Sequence, residues 1–159
     1  MRPNSTAFTL FLGVLAGLPT FGIDMILSSL PATGLALAVP SAKVGLVMSV
    51  YLLGLGSALL LFGPASDRFG RKPVIAVGCA LLVVASLGCM LAHSFPVLLF
   101  FRILQGAGAS GAGVAAIAIV RDLFEGEVAR AKMSFIVSAI NVVPMIAPSV
   151  GAALLAIGE

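Results

Sequence analysis

The sequence predicts an all-α protein that crosses a membrane several times. Of its 159 residues, 60% are hydrophobic and only 9% are charged, whereas about a quarter of the residues of a soluble domain are charged. The apolar residues form runs of about 19 to 25, long enough to cross a bilayer as helices. A soluble domain of this length could not bury so much apolar surface.

Five apolar runs predict five spanning helices, at residues 7–30, 44–62, 74–92, 97–120 and 133–157. The first run is too long for the apolar core of a signal peptide, and Asp24 interrupts it. Pro31, Gly34 and Pro40 follow that run and predict a turn-rich connection to the second.

The segment between the second and third runs, residues 63–73, combines charges with turn-forming residues. It reads Gly-Pro-Ala-Ser-Asp-Arg-Phe-Gly-Arg-Lys-Pro. Its cations resist transfer across a membrane, and its glycines permit turns and close packing. An ordinary cytoplasmic loop would account for the cations, but not for Asp67 or for the two glycines.

This segment resembles the signature loop between helices two and three of the major facilitator superfamily. The variant is similar to that of the drug:proton antiporters of the bicyclomycin and chloramphenicol exporter type. The matching positions are Gly63, Asp67, Arg68, Gly70, Arg71 and Lys72. The resemblance also implies that Arg71 meets Asp122, the acid of an Arg-Asp pair after the fourth helix. A solvated loop pair of little energetic value is the alternative.

The resemblance implies a transporter of two six-helix halves, each built from inverted three-helix repeats. Residues 1–159 would then be a partial N-terminal transporter domain of five helices, from a truncated gene product or a fragment. The implied function is proton-coupled efflux of small drugs across the bacterial inner membrane. The implied partners are the drug, protons, the lipid bilayer and the missing second half, with no cofactor and no nucleic acid.

We expect these 159 residues to be inactive on their own, because half of the implied cavity is missing. The alternative is a non-transporting chain, either a truncated remnant or a membrane assembly subunit that pairs with another chain.

Two charged residues fall inside predicted spans. Asp24 lies near the end of the first run and Arg102 near the start of the fourth, so antiparallel helices predict matching depths. Charges inside a membrane are functional candidates, although a structural ion pair or an Arg102 that extends toward the surface would also explain them.

The surroundings of both charges resemble superfamily motifs. Residues 22–25 resemble the first-helix motif of these exporters, whose acidic residue is associated with proton coupling. Arg102, Gln105 and Gly106 resemble the fourth-helix motif, whose arginine is associated with proton transfer. Gln105 is either a hydrogen-bond partner between helices or a group that lines the cavity.

Small residues and prolines mark the last two helices. The fourth run has glycines at positions 106, 108, 111 and 113, which predict close helix packing. In the fifth run, Pro144, Pro148 and Gly151 resemble the antiporter motif of the drug:proton branch, and a simple kink is the alternative. No nucleophile, metal-ligand cluster or paired carboxylate in the sequence indicates an enzyme.

The distribution of cations predicts the orientation in the membrane. Seven Lys and Arg residues fall on the side of the N-terminus, whereas Lys43 alone falls on the other side. The N-terminus is therefore expected in the cytoplasm. Cysteines introduced at Ser94 and Glu159 should react with an impermeant maleimide added outside the cell. Labelling at Glu159 only from the cytoplasm would contradict the five-span topology.

Overall fold

The computed structural model describes residues 5–158, and it describes side chains from residue 5 to residue 142 except those of Met25, Ser28 and Ser29. This part of the chain forms six helices and no strand. The helices are α1 (Thr6–Ala36), α2 (Ser41–Val44), α3 (Leu46–Phe69), α4 (Arg71–Met90), α5 (Phe95–Leu123) and α6 (Gly126–Gly158).

Among the described residues, four stretches of helix are long and apolar enough to cross a membrane. They are Thr6–Asp24, Ser41–Phe69, Arg71–Met90 and Phe95–Leu123. The predicted all-α, polytopic membrane fold is therefore confirmed. The fifth predicted span lies within α6, and its side chains from residue 143 onward, with those of Pro144, Pro148 and Gly151, are outside the described residues, as is Glu159.

Helix α1 is longer than the sequence suggested, since it continues through Pro31 to Ala36. A proline removes one donor from the helical ladder without necessarily ending the helix, and spanning helices tolerate this. The end is fixed further on, where Val39 N–H donates to Gly34 O at 2.9 Å and Ala38 N–H donates to Leu35 O at 3.3 Å. Ala38 has φ 51°, so this is a Schellman cap without glycine.

Helix α3 also extends beyond its predicted end, through Gly63 and Pro64 to Phe69. The predicted loop of residues 63–73 is therefore mostly helical, and the turn is made by Gly70 alone. Gly70 has φ 92° and ψ 164°, a backbone conformation that L side chains rarely adopt.

Helix α5 occupies the centre of the fold and packs against α1, α3 and α4. Its backbone approaches its neighbours closely, as the glycines of the fourth run predicted. A Cβ on Gly54 of α3 would overlap the Ile103 carbonyl group of α5, and one on Gly78 of α4 would lie 2.9 Å from Gly108 O. Small residues at these contacts let the helices touch through their backbones.

One face of α3 is buried and the other is exposed. Val47, Tyr51 and Ala58 point into the bundle and are at most 4% exposed. By contrast, Leu60 and Leu61 are 76% and 73% exposed. Such a face would be a liability in water, whereas in a membrane protein it contacts lipid.

The polar ends of several helices meet at one end of the bundle. Lys132 Nζ of α6 donates a hydrogen bond to Thr9 Oγ1 of α1 at 2.7 Å and lies 4.6 Å from the centroid of the Phe124 ring. Arg71, the first residue of α4, contacts Asp122 near the end of α5. We call this end, defined by Thr9, Arg71, Asp122 and Lys132, the cationic end.

The close contact between α3 and α5 predicts different effects for two glycines in one helix. Gly54→Ala should lower the stability by about 1–3 kcal/mol, because the new methyl group must push α5 away. Gly56→Ala is the matched control, since open space surrounds the position of its Cβ; the better helix propensity of alanine should leave that variant as stable or slightly more stable.

Thermal unfolding in detergent, followed with a thiol-reactive dye at Cys79 and Cys89, measures this difference. Equal melting temperatures for the two variants would contradict the packing of α3 on α5.

Candidate functional site

The side chain of Arg71 connects α4 to α5 at the cationic end. The turn at Gly70 places Arg71 at the start of α4, facing the last turn of α5. Its Nε donates to Asp122 Oδ2 at 2.7 Å and its Nη2 donates to Asp122 Oδ1 at 3.4 Å. This two-pronged geometry suits a guanidinium and a carboxylate. The structure thus brings together Arg71 and Asp122, the two residues that the resemblance had placed in contact.

The same guanidinium also reaches back to α3. Its Nη1 donates to Ser66 Oγ at 2.8 Å and to Asp67 Oδ1 at 2.7 Å. Ser66 is only 1% exposed, whereas the Asp67 side chain is 71% exposed. Arg71 therefore connects three helices, and Ser66 is a participant that the sequence analysis missed. A serine preceding a charged residue gives no sequence signal of this role.

The remaining residues of the signature segment lie around this centre. Arg68 is exposed, with its guanidinium carbon 5.5 Å from the centroid of the Phe69 ring, and Lys72 is exposed on the first turn of α4.

Gly63 lines an open pocket of about 510 Å³ together with Asp67, Arg71 and Asp122. Apart from its chain neighbours and the backbone of its own helix, no described atom lies within 4 Å of the position of a Cβ on Gly63, so the close packing expected there is absent.

A second polar cluster lies within the bundle and connects α5 to α4. Arg102 is 9% exposed, and its Nη1 donates to Gln105 Oε1 at 2.7 Å. Gln105 Nε2 donates to Ser86 Oγ at 2.8 Å, and the Ser86 hydroxyl donates to Leu82 O at 2.7 Å. Gln105 thus makes a hydrogen bond between helices, one of its two predicted roles. We call Arg102, Gln105 and Ser86 the polar chain.

Ser86 was not identified from the sequence. A serine within an apolar helix commonly donates to the carbonyl four residues earlier, as Ser86 does, and this pattern has no functional meaning by itself. Its second interaction, with Gln105, depends on how α4 and α5 pack.

Asp24 lies on α1 and makes no ion pair with Arg102 in the described structure. Its Oδ2 is buried and has no hydrogen-bond partner, and the same is true of Arg102 Nε. An unpaired polar atom in an apolar environment is costly. Asp24 Oδ2 is therefore available to accept a hydrogen bond or a proton, and Arg102 Nε is available to donate a hydrogen bond.

The packing of α1 on α5 shows that Asp24 and Arg102 lie at different depths along the bundle, so the prediction of matching depths is wrong. A Cβ on Gly113 would lie 3.1 Å from Pro19 Cγ and 4.0 Å from Leu15 O, so these residues are level with one another. Arg102 is 11 residues from Gly113, whereas Asp24 is about 7 residues from the middle of the Leu15–Pro19 turn. In antiparallel helices Arg102 therefore lies about 6 Å, or roughly one turn, further from the cationic end.

The described side chains offer no group of three or more His, Cys, Asp or Glu that could hold a metal ion. The polar and charged side chains of the site can form hydrogen bonds and charge pairs and can bind protons. The candidate groups are Asp24, the polar chain and the contacts of Arg71.

The contact of Arg71 with Asp122 predicts that it keeps the adjacent ends of α4 and α5 closed. Val74, one turn after Arg71, is 5% exposed. In a background without Cys79 and Cys89, a cysteine at Val74 should react with a water-soluble maleimide about two- to fivefold faster after Asp122→Asn. Glu125→Gln removes the same charge from a nearby exposed position and should leave the rate unchanged. Equal rates for the two variants would show that the contact does not hold these helices.

Comparison with known proteins places this geometry in a family. The model of the Major Facilitator Superfamily matches residues 9–159. The chain is 42% identical over 131 residues to the multidrug resistance protein MdtL of Klebsiella pneumoniae (strain 342), covering 82% of this chain and 33% of that protein. It is 38% identical over 152 residues to a chloramphenicol resistance protein of Pseudomonas aeruginosa, covering 95% of this chain and 36% of that protein.

The multidrug resistance protein MdtL of Escherichia coli (strain K12 / DH10B) is 40% identical over 131 residues, with 82% of this chain and 33% of that protein covered. The chain thus spans about a third of the length of these curated relatives. The family match extends over nearly all of the sequence and includes every polar cluster described above. The chain belongs to the Major Facilitator Superfamily.

Proposed function

We propose that these residues form the first part of a proton-coupled exporter of small drugs in the bacterial inner membrane. The buried, unpartnered Oδ2 of Asp24 is the observation that carries the proposal. The names of the relatives, which refer to multidrug and chloramphenicol resistance, favour an antibiotic such as chloramphenicol as the drug. The complete transporter would need the part of the fold that corresponds to the other two thirds of these relatives.

In this proposal, a proton is the partner that the Asp24 carboxylate lacks. A bound proton neutralises the charge within the membrane and thereby removes the cost of burying it. A cationic or polar group of the drug could compete for the same oxygen. One side chain would then link the binding of the drug to the release of the proton.

The polar chain supports this role of Asp24 from the neighbouring helix. Arg102 keeps a positive charge inside the bundle, and its Nε remains without a partner. Because Arg102 lies about one helical turn from Asp24, the two groups do not neutralise each other in this conformation. A relative movement of α1 and α5 by about one turn would bring them together, so pairing can differ between the two states of a transport cycle.

The contacts of Arg71 are proposed to stabilise one of those states. They hold α3, α4 and α5 at the cationic end, which we propose faces the cytoplasm because its cations resist translocation. Both contacts with carboxylates are solvent-exposed, so their net contribution is small and they can break during the cycle.

The role of Asp24 can be tested in a complete transporter. In a chimaera, residues 9–159 replace the matching segment of the Pseudomonas aeruginosa chloramphenicol resistance protein. Chloramphenicol efflux driven by an imposed pH gradient should fall at least about tenfold in Asp24→Asn, because a carboxamide keeps the shape but cannot exchange a proton.

Asp24→Glu keeps an ionisable group and should retain part of the activity. Glu127→Gln, which removes an exposed acid from the first turn of α6, should behave like the unmodified chimaera. Efflux by Asp24→Asn that follows the pH gradient normally would exclude Asp24 from proton coupling.

A further inference from the structure

Tyr51 is a buried polar side chain that neither the polar chain nor the Arg71 contacts include. It is the single tyrosine of the sequence and lies in the second turn of α3. It is 1% exposed, and it is the largest fully buried side chain among the described residues. Its hydroxyl donates a hydrogen bond to the carbonyl oxygen of Pro19 in α1 at 3.0 Å.

Two glycines provide the space in which Tyr51 sits. On the α1 side, a Cβ on Gly22 would overlap the Tyr51 hydroxyl and lie 3.0 Å from its ring carbon Cζ. On the α5 side, a Cβ on Gly106 would overlap the Tyr51 carbonyl oxygen. Tyr51 is therefore in contact with the backbones of two neighbouring helices, and its ring has little room for another rotamer.

The hydrogen bond from Tyr51 reaches α1 at a weak point of that helix. Pro19 has no N–H, so it cannot donate to the Leu15 carbonyl as other residues in a helix would. Helices bend most easily at such positions. An added hydrogen bond from α3 to the Pro19 carbonyl limits this bending.

The part of α1 beyond this weak point carries Asp24. Asp24 follows Pro19 by five residues and Gly22 by two, so any bend at Pro19 moves its carboxylate relative to α5. On the other side, Tyr51 contacts α5 at Gly106, the residue next to Gln105 of the polar chain. Tyr51 thus contacts the helix of the acid through its side chain and the helix of the arginine through its backbone carbonyl oxygen.

We propose that Tyr51 is a positioning residue that holds α1 at Pro19 and thereby sets the place of Asp24 relative to Arg102. The inference rests on the proposed function, because it assigns to Tyr51 the placement of the proton-binding group. Tyr51 itself neither binds the proton nor contacts the drug in this proposal. Its hydrogen bond must be broken whenever α1 bends away from α3.

A first experiment tests the position of α1 without any transport measurement. Amide hydrogen exchange is measured on the full chain in lipid nanodiscs, in the segment from Thr20 to Asp24. Tyr51→Phe keeps the ring and removes only the hydroxyl, so exchange there should become roughly 2- to 10-fold faster, the range expected for one buried hydrogen bond.

Ser57→Ala is the matched control for this experiment. It removes a hydroxyl from an exposed position of the same helix, and that hydroxyl donates to Gly54 O within α3 at 3.2 Å. Exchange in the segment from Thr20 to Asp24 should therefore be unchanged. Equal exchange in Tyr51→Phe and Ser57→Ala would overturn the proposal.

A second variant tests the connection with Pro19. Pro19→Ala restores the N–H that can donate to Leu15 O and so completes the ladder of α1. In this background Tyr51→Phe should accelerate exchange less than half as much as in the native background. An equal effect in both backgrounds would show that Tyr51 does not act on the weak point at Pro19.

Transport by the chimaera separates the two proposals. Tyr51→Phe should lower the maximal rate of chloramphenicol efflux per folded molecule roughly 2- to 10-fold and leave the half-saturating concentration unchanged, because the hydroxyl places the acid and does not contact the drug. If Asp24→Asn is inactive but Tyr51→Phe transports like the native chimaera, the inference about Tyr51 fails and the proposed function stands. If Asp24→Asn transports normally, the proposed function fails, whatever the exchange measurement shows.

Discussion

The close approach of α5 to α3 and α4 is the constraint on which the rest of the structure depends. Lipid is as apolar as a leucine side chain, so burial of apolar surface gives little drive for two helices to associate in a membrane. Dispersion contacts between well-fitted surfaces must replace it. Gly54, Gly78, Gly106 and Gly108 allow these contacts to be made between backbones. The same contacts fix the alignment of these helices along their axes, and this alignment brings Gln105 to Ser86 and Tyr51 to Gly106.

The family and the membrane fold could be predicted from the sequence because their signals are local. Spanning helices follow from the length and apolarity of a run, and the signature segment is recognisable from eleven consecutive residues. As a member of the Major Facilitator Superfamily the chain is not an enzyme. The contact between Arg71 and Asp122 joins residues far apart in the sequence, and only the resemblance indicated it.

The parts that could not be predicted depend on how helices are aligned along their lengths. Counting residues from the ends of the runs placed Asp24 and Arg102 at equal depth, but the actual alignment follows from the fit of Gly113 against Pro19. The end of α1 was misplaced for a related reason. Proline and glycine suggested a break, whereas the helix stops at the Schellman cap of Ala38, an alanine in a conformation usually taken by glycine.

The turn at Gly70 has a mechanical consequence. A single residue joins α3 to α4, so the two helices cannot slide past each other along their axes, and the motion that remains is rotation about that residue. Because α4 is 20 residues long, or about 30 Å, a rotation of about 10° at Gly70 would displace Met90 by about 5 Å. A small rotation of α4 at the cationic end therefore produces a larger displacement of its other end, at the opposite membrane face.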